Sequence, residues 1–297
     1  MHYAERMHKE QRWLAVVCLT AAFSVASVAA AFAQSLPAGQ PPAAATAANK
    51  PADDEDLAAP DPAEPDFRVL NLPSTLRMPL HGMNFGLTHR FAGNLRAGGF
   101  EHQLENLFGL DQGAIIGLEF RFAVARRLQA VVFRTNFDKE LQFYAKWDAV
   151  HQSAMRPVSI SGLVSVEGAN NFRLRRTPAL GAVISRAIEH RATVYAQPMW
   201  VHGTAAEAGA DRDTFFVGLG GKALLGRSTY LVGEVSPRLG GYAPNKPEYG
   251  LGIEKRVGGH VFQLTFTNTY STTFGQIARG GLPDTLFLGF NLGRKFY

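Results

Sequence analysis

From about residue 82 onward, apolar and polar residues alternate one for one in segments of about ten, and no amphipathic helix of useful length interrupts them. In residues 139–149, Leu141, Phe143, Ala145, Trp147 and Ala149 occupy one frame; Glu140, Gln142, Tyr144, Lys146 and Asp148 occupy the other. Successive side chains of a strand point to opposite faces, so such a segment has one greasy face and one wet one. The same split sets Ile116, Leu118, Phe120, Phe122 and Val124 against Gly117, Glu119 and Arg121. It also sets Tyr249, Leu251, Ile253 and Val257 against Gly250, Gly252, Glu254 and Arg256, and Phe262, Leu264, Phe266 and Tyr270 against Gln263, Thr265, Thr267 and Thr269. Residues 127–135 are mixed in both frames, and Arg186 interrupts the apolar frame of 178–188.

Segments 82–91, 113–124, 127–136, 139–149, 157–167, 177–188, 191–202, 213–224, 228–240, 247–257, 260–270 and 284–297 are candidate strands. About twelve strands lies inside the range of transmembrane barrels. The competing architecture is a soluble β-sandwich, which would need an unusually large shared core to bury this much Phe, Trp and Tyr. Connection lengths favour the barrel. Arg126-Arg127, Glu189-His190, Gly226-Arg227-Ser228 and Gly258-Gly259 are tight turns, whereas 92–112, 168–176, 203–212, 241–246 and 271–283 are longer. Short and long largely alternate, as periplasmic turns and extracellular loops do. Connection 136–138 is shorter, and 150–156 longer, than this scheme expects. The fold expected is therefore all-β, an antiparallel transmembrane β-barrel over residues 67–297 in the bacterial outer membrane. Residues 67–80 become either an extra strand or a piece tucked into the lumen.

The ends agree with export. Arg6, Lys9 and Arg12 precede an uncharged apolar run closing on Ala31-Phe32-Ala33, which predicts a signal peptide over 1–33. The competing reading is a retained membrane anchor. Cys18 is the sole cysteine and lies within that run, which removes disulfides and thiolate chemistry from the expected mature chain. Residues 34–66 are Pro/Ala-rich and acidic, without aromatic residues, and predict a disordered leader. Of 30 Lys/Arg and 25 Asp/Glu, four basic and nine acidic residues precede position 67, which leaves 26 against 16 beyond it. These charges are spread one or two per strand without a nucleic-acid-binding motif, so anionic headgroups or solutes are the expected partners rather than nucleic acid.

Three short motifs carry a resemblance: NLPS (71–74), HRF (89–91) and FGLDQGA (108–114). With the alternating strands after them, they resemble a bacterial outer-membrane β-barrel family known only as a domain of unknown function, over roughly residues 67–297. The resemblance implies a barrel and no activity, cofactor or catalytic residue. Loop 100–114 has Phe100, Leu104, Leu107 and Phe108 at roughly helical spacing. It reads either as a cap over the barrel mouth or as a short structural helix ended by Gly109, with Asp111 making a local turn.

His81, His89, His102, His151, His190, His202 and His260 stand in no recognisable nucleophile context, and no metal or nucleotide motif is evident. No enzyme, metal or cofactor is expected, and an outer-membrane hydrolase ranks third. The expected lumen frame holds Arg90, Glu119, Arg121, Glu140, Lys146, Lys222, Glu234, Arg238, Glu254 and Arg256. If these leave an aqueous gap, the protein is a narrow passive channel for small solutes; if they pair across the bore, it is a non-conducting structural or surface-binding barrel. Gly218-Leu219-Gly220-Gly221 reads as a strand with small lumen residues where the wall bends. Trp147, Trp200, Tyr230, Tyr249 and Tyr270 are expected at the lipid interfaces.

The sequence stops inside an apparent strand. Leu286, Leu288, Phe290, Leu292 and Phe296 form its expected lipid-facing frame, while Asn291, Gly293, Lys295 and the terminal Tyr297 fall in the inward one. A last strand must pair with the first to remove the sheet edges. Phe290, Leu292, Phe296 and Tyr297 resemble the terminal aromatic signal that barrel-insertion machinery reads.

Overall fold

The computed structural model describes residues 63–205 and 213–297; the expected signal peptide and all but the end of the leader lie outside the described residues. The strands are β1 (Met83–Asn94), β2 (Ala114–Ala125), β3 (Leu128–Thr135), β4 (Leu141–Val150), β5 (Ser159–Gly168), β6 (Arg175–Ile188) and β7 (Ala192–Val201). They continue as β8 (Thr214–Gly226), β9 (Thr229–Ser236), β10 (Arg238–Gly241), β11 (Glu248–Val257), β12 (His260–Thr267) and β13 (Phe287–Phe296). Each pairs antiparallel with its neighbour, and β13 returns to β1 with Met83 opposite Phe296. Residues β9 and β10 are one stave interrupted by Pro237, which has no N–H to give the ladder. Both halves lie against β8, so the wall is a closed barrel of twelve staves with no free edge.

Outward-facing residues are the apolar frame read from the sequence. Phe120, Phe122, Phe143, Val164, Leu251, Phe262 and Leu264 are exposed on the outer wall, whereas Gln142, Lys146, Glu254 and Gln263 are buried within. An exposed apolar belt over a buried polar lining inverts a soluble protein and fits a lipid solvent. Trp147 and Trp200 lie on the outer face as expected. Two aromatic residues differ. Tyr230 is 2% exposed because it shares the inward frame with Val232 and Glu234. Strand β12 stops at Thr267, so Tyr270 lies in the following connection, its hydroxyl donating to Ala92 O and its ring against Phe287. The frame of β3 that looked mixed turns Gln129, Val131, Phe133 and Thr135 inward, and the apolar members of that set have an apolar partner inside the bore.

That partner is the segment before β1. Residues 63–78 run inside the barrel, with Ala63, Phe67, Val69, Leu70, Leu72, Leu76 and Met78 buried, which settles the two alternatives for 67–80 in favour of the lumen. With the short turns at the periplasmic rim, this plug enters from the periplasmic side. A second insert enters from the opposite rim. Between β12 and β13, α2 (Phe274–Arg279) is buried along five of its six residues and is started by a capping box in which Thr273 and Gln276 bond each other's backbone. Helix α1 (Phe100–Glu105), in the β1–β2 connection, instead stays on the outside.

Candidate functional site

The lumen is where charge is concentrated, and plug and wall meet there. Val69 N–H donates to Leu72 O at 2.8 Å, closing a tight turn that aims the next backbone donors at one carboxylate. Glu234 of β9 accepts the N–H groups of Leu70 and Asn71, both at 2.9 Å, and of Leu72 at 3.3 Å. The Asn71 side chain bridges two more staves: its Nδ2 donates to Glu248 at 2.9 Å and its Oδ1 accepts from Arg90 Nη2 at 2.9 Å. Arg90 also donates to Asn291 Oδ1 at 2.8 Å, and Asn291 Nδ2 donates to Leu70 O at 3.0 Å. Gln263 Nε2 donates to Val69 O at 2.7 Å. Asn71 and Ser74 of the NLPS motif and Arg90 of HRF are thus parts of one seat; Ser74 braces the turn by donating its hydroxyl to Asp66 O.

On the other side of the plug, Arg68 pairs with Glu119, which also holds Arg121 at 3.1 Å. Arg68 lies over the Phe133 ring, 4.9 Å from its centroid, and Arg121 over Phe67 at 5.1 Å. Lys146 Nζ donates to Ser74 O at 3.1 Å and Leu76 O at 2.8 Å and pairs with Asp148 at 3.0 Å. Lys222 and Glu254 pair across the wall at 2.7 Å. These charges are out of water, where an unmatched one is costly. The plug's main chain supplies the matching groups that water would supply in an open bore.

Shape is fitted as closely as charge. A Cβ on Gly218 would lie 2.3 Å from Leu72 Cδ1, one on Gly220 3.0 Å from Val69 Cγ1 and one on Gly250 2.9 Å from Leu70 Cδ1. The small lumen residues read as a bend are therefore the bed of the plug. Val69, Leu70 and Leu72 join Val131, Tyr195 and Val232 of the wall, and Phe274, Ile277 and Ala278 of α2, in one apolar cluster. That cluster thus reaches from the plug to the outer insert inside the bore. A cavity of about 20 Å³ lies between Phe67, Arg68 and the wall, room for about one water molecule.

The outer insert is anchored by Glu167 of β5, which accepts from Gly275 N and Thr273 Oγ1, each at 3.0 Å. Beside it Glu140, just before β4, faces Glu167, Arg175, Arg279 and Asp138; burial and then the Glu167 carboxylate push its pKa up to about 7.

Of the ten lumen candidates, Arg90, Glu119, Arg121, Lys146, Lys222, Glu234 and Glu254 lie buried along the bore. Glu140 is buried at the outer mouth, near Arg279. Arg238 is at the same mouth, donating to Asn245 O, and Arg256 ends the inward frame of β11 at the periplasmic rim. The charged frame leaves out Asn71, Gln263, Asn291 and Glu248; parity puts Gln263 and Asn291 on the polar side, but their joining with Asn71 and Glu248 in one seat spans up to 221 positions and is not visible locally. Among the described residues no group of three His, Cys, Asp or Glu could hold a metal ion. His202 Nδ1 contacts Asp213 Oδ1 at 2.6 Å, and the other Asp213 oxygen accepts from the Trp200 indole N–H.

A family model described as a membrane bound beta barrel domain (DUF5777) matches residues 65–296. No curated protein matches the sequence. Among solved structures, the COG4313 outer membrane channel from Pseudomonas putida F1 aligns with a TM-score of 0.47 at 9% identity, over 74% of this chain and 97% of that one. The KdgM porin in complex with disordered oligogalacturonate aligns with a TM-score of 0.47 at 7% identity, over 73% and 99%. A mutant of the Rh. blastica porin aligns with a TM-score of 0.33 at 13% identity, over 61% of this chain and 55% of that one, so the chain spans about half that porin's length.

Proposed function

The chain belongs to the family of membrane bound beta barrel domains, and with that barrel as the premise we propose, from the contents of its bore, that it is an outer-membrane channel held closed at rest by its own N-terminal segment. A closed barrel with an apolar outer wall is the architecture of the bacterial outer membrane, and the protein resides there in contact with lipid. What carries the closed state is the plug: its backbone donors are spent on Glu234 and its carbonyls on Lys146, Gln263 and Asn291. What supports a channel behind it is the character of that seat. Beside its apolar contacts it has many hydrogen bonds and ion pairs to a polar wall, which water can replace when the plug leaves, leaving a bore suited to small polar solutes.

Planar-bilayer recording tests this. The full chain is expected to be silent, and a variant lacking residues 63–78 to conduct in discrete steps. Steady conductance by the full chain would overturn the closed state. Silence of the deletion variant would assign the barrel to a non-conducting structural or surface-binding role, a reading favoured by α2, which blocks the bore from the other rim. The proposal includes no catalysis. It also includes recognition of Phe290, Leu292 and Phe296, the outward frame of β13, by the insertion machinery.

A further inference from the structure

The connection between β1 and β2 packs against the outside of the barrel, and the FGLDQGA motif explains how. Gly93, in the outward frame near the end of β1, meets Gly109 backbone to backbone: a Cβ on Gly93 would fall 2.1 Å from Gly109 Cα. Gly109 and Gly113 have φ of 86° and 88°, in the region that favours glycine, and Leu107 and Phe108 are held at φ 45° and 54°. The loop thereby becomes a second layer against the wall. Between the layers lies a groove of about 410 Å³ lined by Leu95, Leu107, Phe108 and Leu110 of the loop and by Phe266 and Leu288 of the wall.

We propose that this groove binds one acyl chain of a lipid in the extracellular leaflet. Its lining residues are all apolar, so ordered water would find no partners in it. Phe266 and Leu288 are directly opposed in the β12–β13 register and belong to the frame that faces hydrocarbon. The floor of the groove is thus continuous with the lipid-facing belt, and a soluble partner would have to displace lipid to reach it. The loop lies at the rim opposite the short turns, which assigns the extracellular leaflet. The exposed Phe100 and Leu104 of α1 extend the apolar surface beyond the groove, as expected of an element lying in the membrane interface. This site is independent of whether the lumen conducts.

Native mass spectrometry of the full chain in detergent, with dipalmitoyl phosphatidylglycerol as probe, tests the proposal. Wild type is expected to retain one lipid. Leu288→Trp, which fills the groove floor and keeps the outer face apolar, and Leu107→Asp, on an exposed loop, are each expected to lose roughly tenfold in affinity. Heat-modifiable migration of both variants checks that the barrel itself has formed. Equal retention by wild type and folded variants, or no retention by wild type, would overturn the site. Competition at par by the short-chain dihexanoyl lipid would locate the contact in the headgroup and overturn the acyl-chain assignment, and so would a co-purifying polypeptide in place of lipid.

Discussion

At the scale of single residues, Glu234 is the point on which the plug turns. Removing its carboxylate in Glu234→Ala leaves three plug N–H groups without their acceptor, at about 1–3 kcal/mol for each group that stays buried and unpaired. The expected outcome is a barrel that still forms but whose residues 63–78 become sensitive to protease in detergent, where wild type is protected. Gly218→Leu should do the same from the opposite cause, because the bed would then occupy the space of Leu72. Protection unchanged in both variants would count against the seat described above. The polar frame of β2, β4 and β11 was legible because parity alone assigns a face. Parity was misapplied at Tyr230, which shares a frame with Glu234, and the bed glycines were readable only as an absence of side chains. What those glycines make room for lies more than a hundred positions earlier in the chain.

At the scale of elements, the seating of the outer insert depends on pH. Glu140 faces the outer insert, and its pKa, raised to about 7, exceeds the ordinary carboxylate value of 4.5. A raised carboxylate binds its proton more tightly in the folded state, so its contribution to seating α2 is full below about pH 4.5 and is lost as pH rises through about 7. Hydrogen exchange in Phe274–Arg279 is expected to be slower at about pH 5 than at about pH 8, and Glu140→Gln to flatten the difference. A wild-type pH response that persists in Glu140→Gln would assign it to another group. The outer insert was read in the sequence only as a long connection, since its capping box and the apolar Phe274, Ile277 and Ala278 are too few to show a period. For residues 67–80 the sequence left strand and plug open, because nothing local distinguishes a segment that pairs at an edge from one enclosed by twelve staves. For 100–114 it offered a cap or a structural helix; a short helix, α1, is present, and the glycine contact puts the loop on the outer wall rather than over the mouth.

At the scale of the whole molecule, closure depends on β1 and β13, which meet over Met83 to Asn94 and Phe287 to Phe296. Deleting Phe296 and Tyr297 removes the partner of Met83, so less protein should reach the outer membrane, and normal surface levels of that truncation would count heavily against the seam. Heat-modifiable migration of the full chain in detergent gels is the corresponding test of the barrel, which a soluble sandwich should not show. Strand number and order were legible because each stave pairs with its sequence neighbour, and alternation with turn spacing suffices for that. The break at Pro237, the contents of the bore and the seat of the β1–β2 loop on the outer wall required the third dimension. Those contents bear on the order of events in making the protein. The plug is translated before any stave, yet its seat includes Glu119 and Lys146 as well as Glu234, Gln263 and Asn291, which leave the ribosome last. A chain interrupted before β13 lacks Asn291 of that seat, so full protection of the leading segment from protease is expected only once the last stave has closed the wall.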